Sequence, residues 1–205
     1  YGTNGFKLDF ADSSDFGNDV SGNNNDYTSS GLAADDQVID TPTKNYMNFN
    51  GFNRGGDSDE IAVISNGGLT TTKSTSKHAG PMTGTAIDPG GKWYCEAKVI
   101  NTGGVQPGIT AIDSGWLWDT TENTLGYYDD NWSIIASNGN KRNDDAGGGV
   151  SYGSAVSADD VVQIAVDLDN GKIWWGVNGT FFASGDPAAG TNAAFTNLST
   201  TDPYF

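Results

Sequence analysis

Asp19, Ser21, Asn23 and Asn25 place oxygen-bearing side chains at alternate positions of the run DVSGNNND, and Gly22 permits a sharp turn among them. Alternating oxygen donors around a glycine are the way a loop begins to wrap calcium. No bidentate Glu closes the run, so a second reading stays open, an Asx-turn loop bonded to its own backbone. Calcium is the only cofactor the residues raise, and none is required. A second group of residues offers flat apolar surface. Trp116, Trp118, Tyr127, Tyr128 and Trp132 crowd into GWLWDTTENTLGYYDDNW, and Trp174 stands beside Trp175 in KIWWGV. Such rings can stack on a sugar or anchor another protein, or they can fold back under a loop or a second layer. These six aromatics are the candidate ligand contacts, and the four loop residues are the candidate metal ligands.

Catalytic chemistry finds less support. A glycosidase needs two carboxylates flanking a cleft, yet the chain has only Glu60, Glu96 and Glu122 as glutamates, widely separated. Asp167 and Asp169 form the one carboxylate pair at strand spacing beside Trp174, and they read as hairpin residues, with Asp169 expected to pair with Lys172. His78 is the sole histidine, so a His-based triad or zinc site is not expected. Cys95, the sole cysteine, cannot form an intrachain disulfide and reads as a small buried hydrophobe in an alternating strand. The expectation is a protein that is not an enzyme.

The elements that must position these residues read as strands. In DVVQIAVDLDNGKIWWGVNG, a type I′ turn at Asn170-Gly171 would set Asp169 opposite Lys172, Leu168 opposite Ile173, Val166 opposite Trp175 and Ile164 opposite Val177. One face is then apolar and holds Trp175, while Gln163, Ala165, Asp167, Trp174 and Gly176 share the other. Further strands are expected at Phe6–Phe10, near Val38-Ile39, in Tyr46–Phe49, from Ile61 to Val63 with a Gly67-Gly68 turn into a Thr-rich strand, and at Trp93–Ile100, Gly108–Ile112, Asn131–Ala136 and Val150–Tyr152. Short apolar runs between Gly/Asn/Asp clusters, with no long 3.6-residue period, point to a sandwich.

Composition narrows the partners. The chain has 205 residues and a formal net charge of −16, with only 10 Lys and Arg. A surface of that sign repels phosphate backbones and anionic lipid, so neither nucleic-acid binding nor membrane insertion is expected. No run is apolar enough to span a bilayer. Asn131-Trp-Ser133, Asn178-Gly-Thr180 and Asn197-Leu-Ser199 match the N-glycosylation pattern and are expected to stay bare.

The runs KWYCEAKV, LGYYDD and DDVVQIAVDLDNGKIWWGVNG together resemble the SPRY domain, a sandwich of the concanavalin A-like lectin/glucanase group. Asp160, Val161, Ile164, Val166, Asp167, Leu168, Asp169, Gly171, Asn178 and Gly179 carry the hairpin resemblance. The tail NGTFFASGDPAAGTNAAFTNLSTTDPYF is similar to SPRY-like domains of bacteriophage and marine bacterial proteins, whose last strand continues past the position of Tyr204-Phe205. The resemblance implies an all-β, antiparallel two-sheet β-sandwich of the SPRY/concanavalin A-like jelly-roll type. It would be preceded by a loop-rich lead-in at residues 1–59, whose strands pack on the sandwich of residues 60–205. It also implies a non-catalytic recognition or structural module of a virion or extracellular appendage, cut from a longer polypeptide. Its loops would meet a host-surface glycan or protein and other subunits of the same assembly. The alternative is a purely structural subunit that assembles into a fibre or filament through edge strands.

Overall fold

The computed structural model describes residues 1–37, 46–56, 62–72, 79–118 and 124–205. Val38, Ile39, Ile61 and His78 lie outside the described residues, as do Glu60 and Glu122. Strands follow in chain order as β1 (Phe49–Gly56), β2 (Val63–Ser65), β3 (Thr70–Thr72), β4 (Ala79–Thr83), β5 (Lys92–Lys98), β6 (Gly108–Thr110), β7 (Asn131–Ile135), β8 (Asn140–Arg142), β9 (Val150–Ser151), β10 (Val161–Asp167), β11 (Lys172–Val177) and β12 (Thr180–Phe181). By internal contacts the chain divides into two units, one of Tyr1–Phe49 with Val63–Thr72, the other of Asn50–Ala62 with Lys73–Phe205. None of the described helical segments is long and apolar enough to cross a membrane.

The larger unit is the expected antiparallel sandwich. One four-stranded sheet runs β12-β11-β10-β5 and the other β6-β7-β8-β9. Alternation explains which residues meet between them. Val162, Ile164 and Val166 of β10 and Ile173 and Trp175 of β11 point inward, against Ile109, Trp132 and Ile134 of the second sheet. Trp175 is wholly buried there, and Trp174 lies on the sheet's other face, as alternation requires. The tail contributes Tyr204, also wholly buried, whose backbone pairs with Ile87 and whose ring meets Trp132 edge-on at 5.8 Å.

The hairpin register differs from the expected one by two residues. Val166 pairs with Ile173, Ile164 with Trp175 and Val162 with Val177, and the last pair before the turn is Asp167 with Lys172. The type I′ turn is replaced by a four-residue loop, Leu168 to Gly171. Only Gly171 there has a positive φ, 61°. The reason is local hydrogen bonding. The Asp167 carboxylate accepts both the Asn170 backbone N–H and its side-chain amide, which holds Asn170 out of the conformation a type I′ turn demands. Leu168 is thereby turned into the core, wholly buried. A two-residue shift leaves every side chain on its expected face, so the hydrophobic pattern tolerates it. Asp169, expected to pair with Lys172, instead accepts the Gly91 N–H at 2.9 Å.

In the smaller unit, β2 and β3 form a hairpin around the turn at Asn66–Gly68, as expected. The strand expected at Phe6–Phe10 is absent. Lys7 gives its N–H to the Asp19 carboxylate and accepts the Val20 N–H, so this backbone is used by the neighbouring loop and not by a sheet. Phe6 instead meets Tyr27 edge-on at 4.9 Å.

Candidate functional site

The candidate metal loop is built from residues 19 to 26, and the structure does bring its four residues together. Each Asp19 oxygen is occupied. One accepts the N–H groups of Lys7 and Ser21, both at 2.8 Å, and the other accepts the Ser21 hydroxyl at 2.8 Å and the Asn25 N–H at 3.0 Å. Asn23 and Asn25 turn their amide NH2 groups toward the carbonyls of Gly2, Gly5 and Thr3. A cation needs oxygens aimed inward with free lone pairs. Here donors are aimed at the carboxylate, which is the geometry of a self-capped Asx loop. Among the described residues no cluster of three His, Cys, Asp or Glu forms that could hold a metal ion.

Burial pushes the Asp19 carboxyl up, but the hydrogen bonds from Lys7, Asn25 and Ser21 outweigh it and hold it well below its ordinary value. A group depressed in the folded state stabilises the fold fully above its unfolded pKa, about 3.9. That contribution is lost as pH falls through the folded value. Amide exchange of Ser21 and Asn25, taken relative to the intrinsic rate at each pH, is therefore expected to stay slow at pH 5–7 and to accelerate progressively below about pH 4. Asp19→Asn should accelerate it already at pH 7. Added calcium or chelator should leave both unchanged, and calcium-dependent protection would restore a metal to this loop.

The aromatic loop is positioned by β7. Asn131 and Ser133 point away from the core, and Ser114 on one side and Leu125 and Gly126 on the other bond back onto them. Asn131 accepts the Gly126 N–H and donates to the Ser114 hydroxyl, and Ser133 donates to the Leu125 carbonyl. Trp116 and Trp132 are both buried, not displayed as ligand contacts, and the Trp116 ring lies against Gly80. Trp132 belongs to the core and donates its Nε1 hydrogen to Asn197. Tyr127 and Tyr128 stack edge-on at 5.1 Å, half-buried. The Trp118 side chain lies outside the described residues. Of the glycosylation-type asparagines, Asn131 is wholly buried.

Trp174 is also wholly buried, although it points away from the core. The segment from Phe182 to Asn192 wraps it. Its indole N–H donates to the Thr191 carbonyl at 2.8 Å, and Gly185 lies against its ring so closely that an added Cβ would sit 2.8 Å from Cδ1. Asp186 and Thr191 exchange both backbone hydrogen bonds, and Lys172 reaches the Gly190 carbonyl. Ala183, Ser184 and Asn192 all adopt positive φ, near 54°, a conformation that costs a non-glycine residue about 1 kcal/mol or more.

Open aromatic surface of the larger unit lies beside this wrap and was missed in the candidate set. Trp93 and Tyr94 on β5 are 43% and 54% exposed. Consecutive strand residues point to opposite faces, so the pair raises the same question as Trp174-Trp175. That was the available signal. Across the outer face, Tyr94, Ala165 and Trp174 form one row and Lys92, Asp167 and Lys172 the next. A groove of about 750 Å³ runs along this face, lined by Lys92, Trp93, Tyr94, Phe181, Asp186 and Pro187 among others.

The polar groups of the groove are mutually satisfied. Burial raises the Asp167 carboxyl, but Asn170 and the Lys92 ammonium at 3.5 Å outweigh it and hold it below the usual range. The Tyr94 hydroxyl donates to Glu96 at 2.5 Å and accepts from Gln163, whose carbonyl in turn accepts the Gly179 N–H. Burial and Glu96 push this phenol up. The Cys95 thiol is also pushed up by burial, on the inner face against the core. What the groove offers a ligand is aromatic area and strand backbone.

No protein-family model matches the chain, and no curated protein matches it. Among solved structures, the SPRY domain of human HERC1 is similar in fold, with a TM-score of 0.53 and 17% identity over 76% of this chain and 86% of that one. At that identity the likeness concerns architecture alone. The chain has a SPRY-like β-sandwich fold.

Proposed function

We propose that this chain is a non-catalytic recognition module and that it grips another protein along β5 and the groove beside it. The observation that carries this reading is the contrast among its large aromatics. In the larger unit Trp116, Trp132, Trp174 and Trp175 are buried, whereas Trp93 and the adjacent Tyr94 are left about half in water. Trp and Tyr so placed are the residues that anchor interfaces. The paired charges of Lys92 and Asp167 fit binding better than proton transfer. The setting, a virion or an extracellular appendage, is supported by the resemblance of the tail to phage and marine bacterial domains and by a surface of strong negative charge.

Peptide and glycan arrays probed with the whole chain and with the Trp93→Ser/Tyr94→Ser variant test the reading. Peptide signals are expected to fall about thirtyfold in the variant, the equivalent of two modest interface anchors. Its melting temperature should fall by no more than about 10 °C, because about half of each side chain is already in water. Peptide signals that survive the double substitution would rule this surface out. Hydrolysis of a bound ligand would rule out the non-catalytic role.

A further inference from the structure

The identity of the ligand can be narrowed from the edge of β5, an inference that rests on the recognition reading above. β5 is the last strand of its sheet, and among the described residues no strand pairs with its outer edge. All seven of its residues pair with β10 on the other side, from Lys92 with Asp167 to Lys98 with Val161. The backbone bonds at the two ends of that ladder run Leu168 N–H to Gly91 carbonyl and Val99 N–H to Asp160 carbonyl. Antiparallel pairs bond at every second residue. The N–H and C=O groups of Trp93, Cys95 and Ala97 therefore face β10, and those of Lys92, Tyr94, Glu96 and Lys98 face outward.

The side chains along this edge are sorted by sign and polarity. On the inner face stand Trp93, Cys95 and Ala97, in register with the core residues Val166, Ile164 and Val162. On the outer face stand Lys92, Tyr94, Glu96 and Lys98. Lys92 is paired with Asp167 at 3.5 Å and Lys98 with Asp159 at 2.8 Å. Glu96, at the centre, has the Tyr94 hydroxyl as its hydrogen-bond donor and no cation within ion-pair distance among the described residues. The chain around it carries a net charge of −16.

We propose that β5 takes up an extended segment of another protein as an added strand, and that this segment alternates basic with apolar residues. Its backbone completes the sheet. Its apolar side chains cover Trp93 and Ala97, and its Lys or Arg side chains lie over Tyr94 and opposite Glu96. A second copy of this chain is disfavoured at the same edge, because self-pairing in any register brings together two bodies each of charge −16.

The test uses the whole chain and three capped octapeptides: alternating lysine–valine, the same peptide N-methylated at every second residue on one edge, and alternating glutamate–valine. Hydrogen exchange of the Tyr94 and Glu96 amides is followed with calorimetric affinity. The lysine–valine peptide is expected to bind and to slow exchange at Tyr94 and Glu96, while Trp93 and Cys95 are already slow. N-methylation and the reversal to glutamate should each weaken binding about tenfold or more, and Glu96→Gln about threefold. Equal binding of the N-methylated peptide would reduce the interaction to charge attraction and overturn strand addition. Equal binding of the glutamate peptide would overturn the basic chemistry. Tyr94 and Glu96 amides already slow in the free chain, or dimers formed through this edge, would overturn the open edge. Failure of the lysine–valine peptide, with array signals still lost in Trp93→Ser/Tyr94→Ser, would sink this inference alone. Array signals that persist in that variant would sink the recognition reading with it.

Discussion

Trp174→Ala is expected to lower stability by about 3–4 kcal/mol and to free the segment from Phe182 to Asn192. Emptying a buried indole site costs about 3–5 kcal/mol in general. Here the ring lies on the outer face of the sheet under a single covering segment, so partial collapse of that segment moderates the cost. The covering segment has little else to hold its shape. Ala183, Ser184 and Asn192 sit in left-handed conformations, and such residues persist only when their surroundings impose them. Trp174 supplies much of that imposition, through the Thr191 carbonyl and the close seat of Gly185. Hydrogen exchange should therefore accelerate at Gly185, Asp186 and Thr191, whose N–H groups bond within the segment, more than at the β10 amides. Unchanged protection at those three would show that Trp174 does not hold the wrap.

Trp175→Ala is expected to act through the whole sandwich and to cost about 4–5 kcal/mol, the upper end for a buried indole. For a domain near this size that corresponds to a fall in melting temperature of about 10–15 °C. Trp175 pairs with Ile164 across the hairpin and meets Phe195 edge-on at 6.2 Å, in the layer between the two sheets. No single segment can fold into the space. Substitution by phenylalanine separates the two tryptophans further. The Trp175 Nε1 hydrogen is buried and finds no acceptor among the described residues, so Trp175→Phe removes an unsatisfied donor while it loses volume, and the two effects offset in part. Trp174→Phe loses volume and also gives up the indole hydrogen bond to the Thr191 carbonyl, which among the described residues keeps only the Asp186 N–H. Trp175→Phe is thus expected to be milder than Trp174→Phe by about 1–2 kcal/mol. Equal losses in denaturant unfolding would refute the assignment of the two indole hydrogens.

The difference between these adjacent residues shows where sequence reasoning reaches and where it stops. Alternation in the hairpin placed Trp175 inside and Trp174 opposite, and both placements hold. The same alternation could not select between registers two residues apart, because an even shift preserves every face. The carboxylate of Asp167, bonded to Asn170, selected the register found. Aromatic content likewise marked the stretch from Trp116 to Trp132 as unusual, but contacts with distant residues determined which of its rings are covered. Trp132 enters the core from β7 and Trp116 lies against Gly80, while Asn131 and Ser133 hold Gly126 and Leu125 on the other side of β7. The oxygen-rich run at Asp19 was legible as a turn, but not its partners, which are donors from as far away as Lys7 and carbonyls as far back as Gly2.

By itself, then, the sequence determined the class of the fold, the face on which each strand residue lies, and the acidity that sets which partners are attracted. These are local or additive properties: a two-residue period, turn residues, and a sum of charges. Tertiary structure decided which aromatics are covered. Trp174 is sealed by residues up to Asn192, while Trp93 and Tyr94 stay open because β5 ends its sheet. Cover is a contact between distant parts of the chain, and no period within one strand carries it.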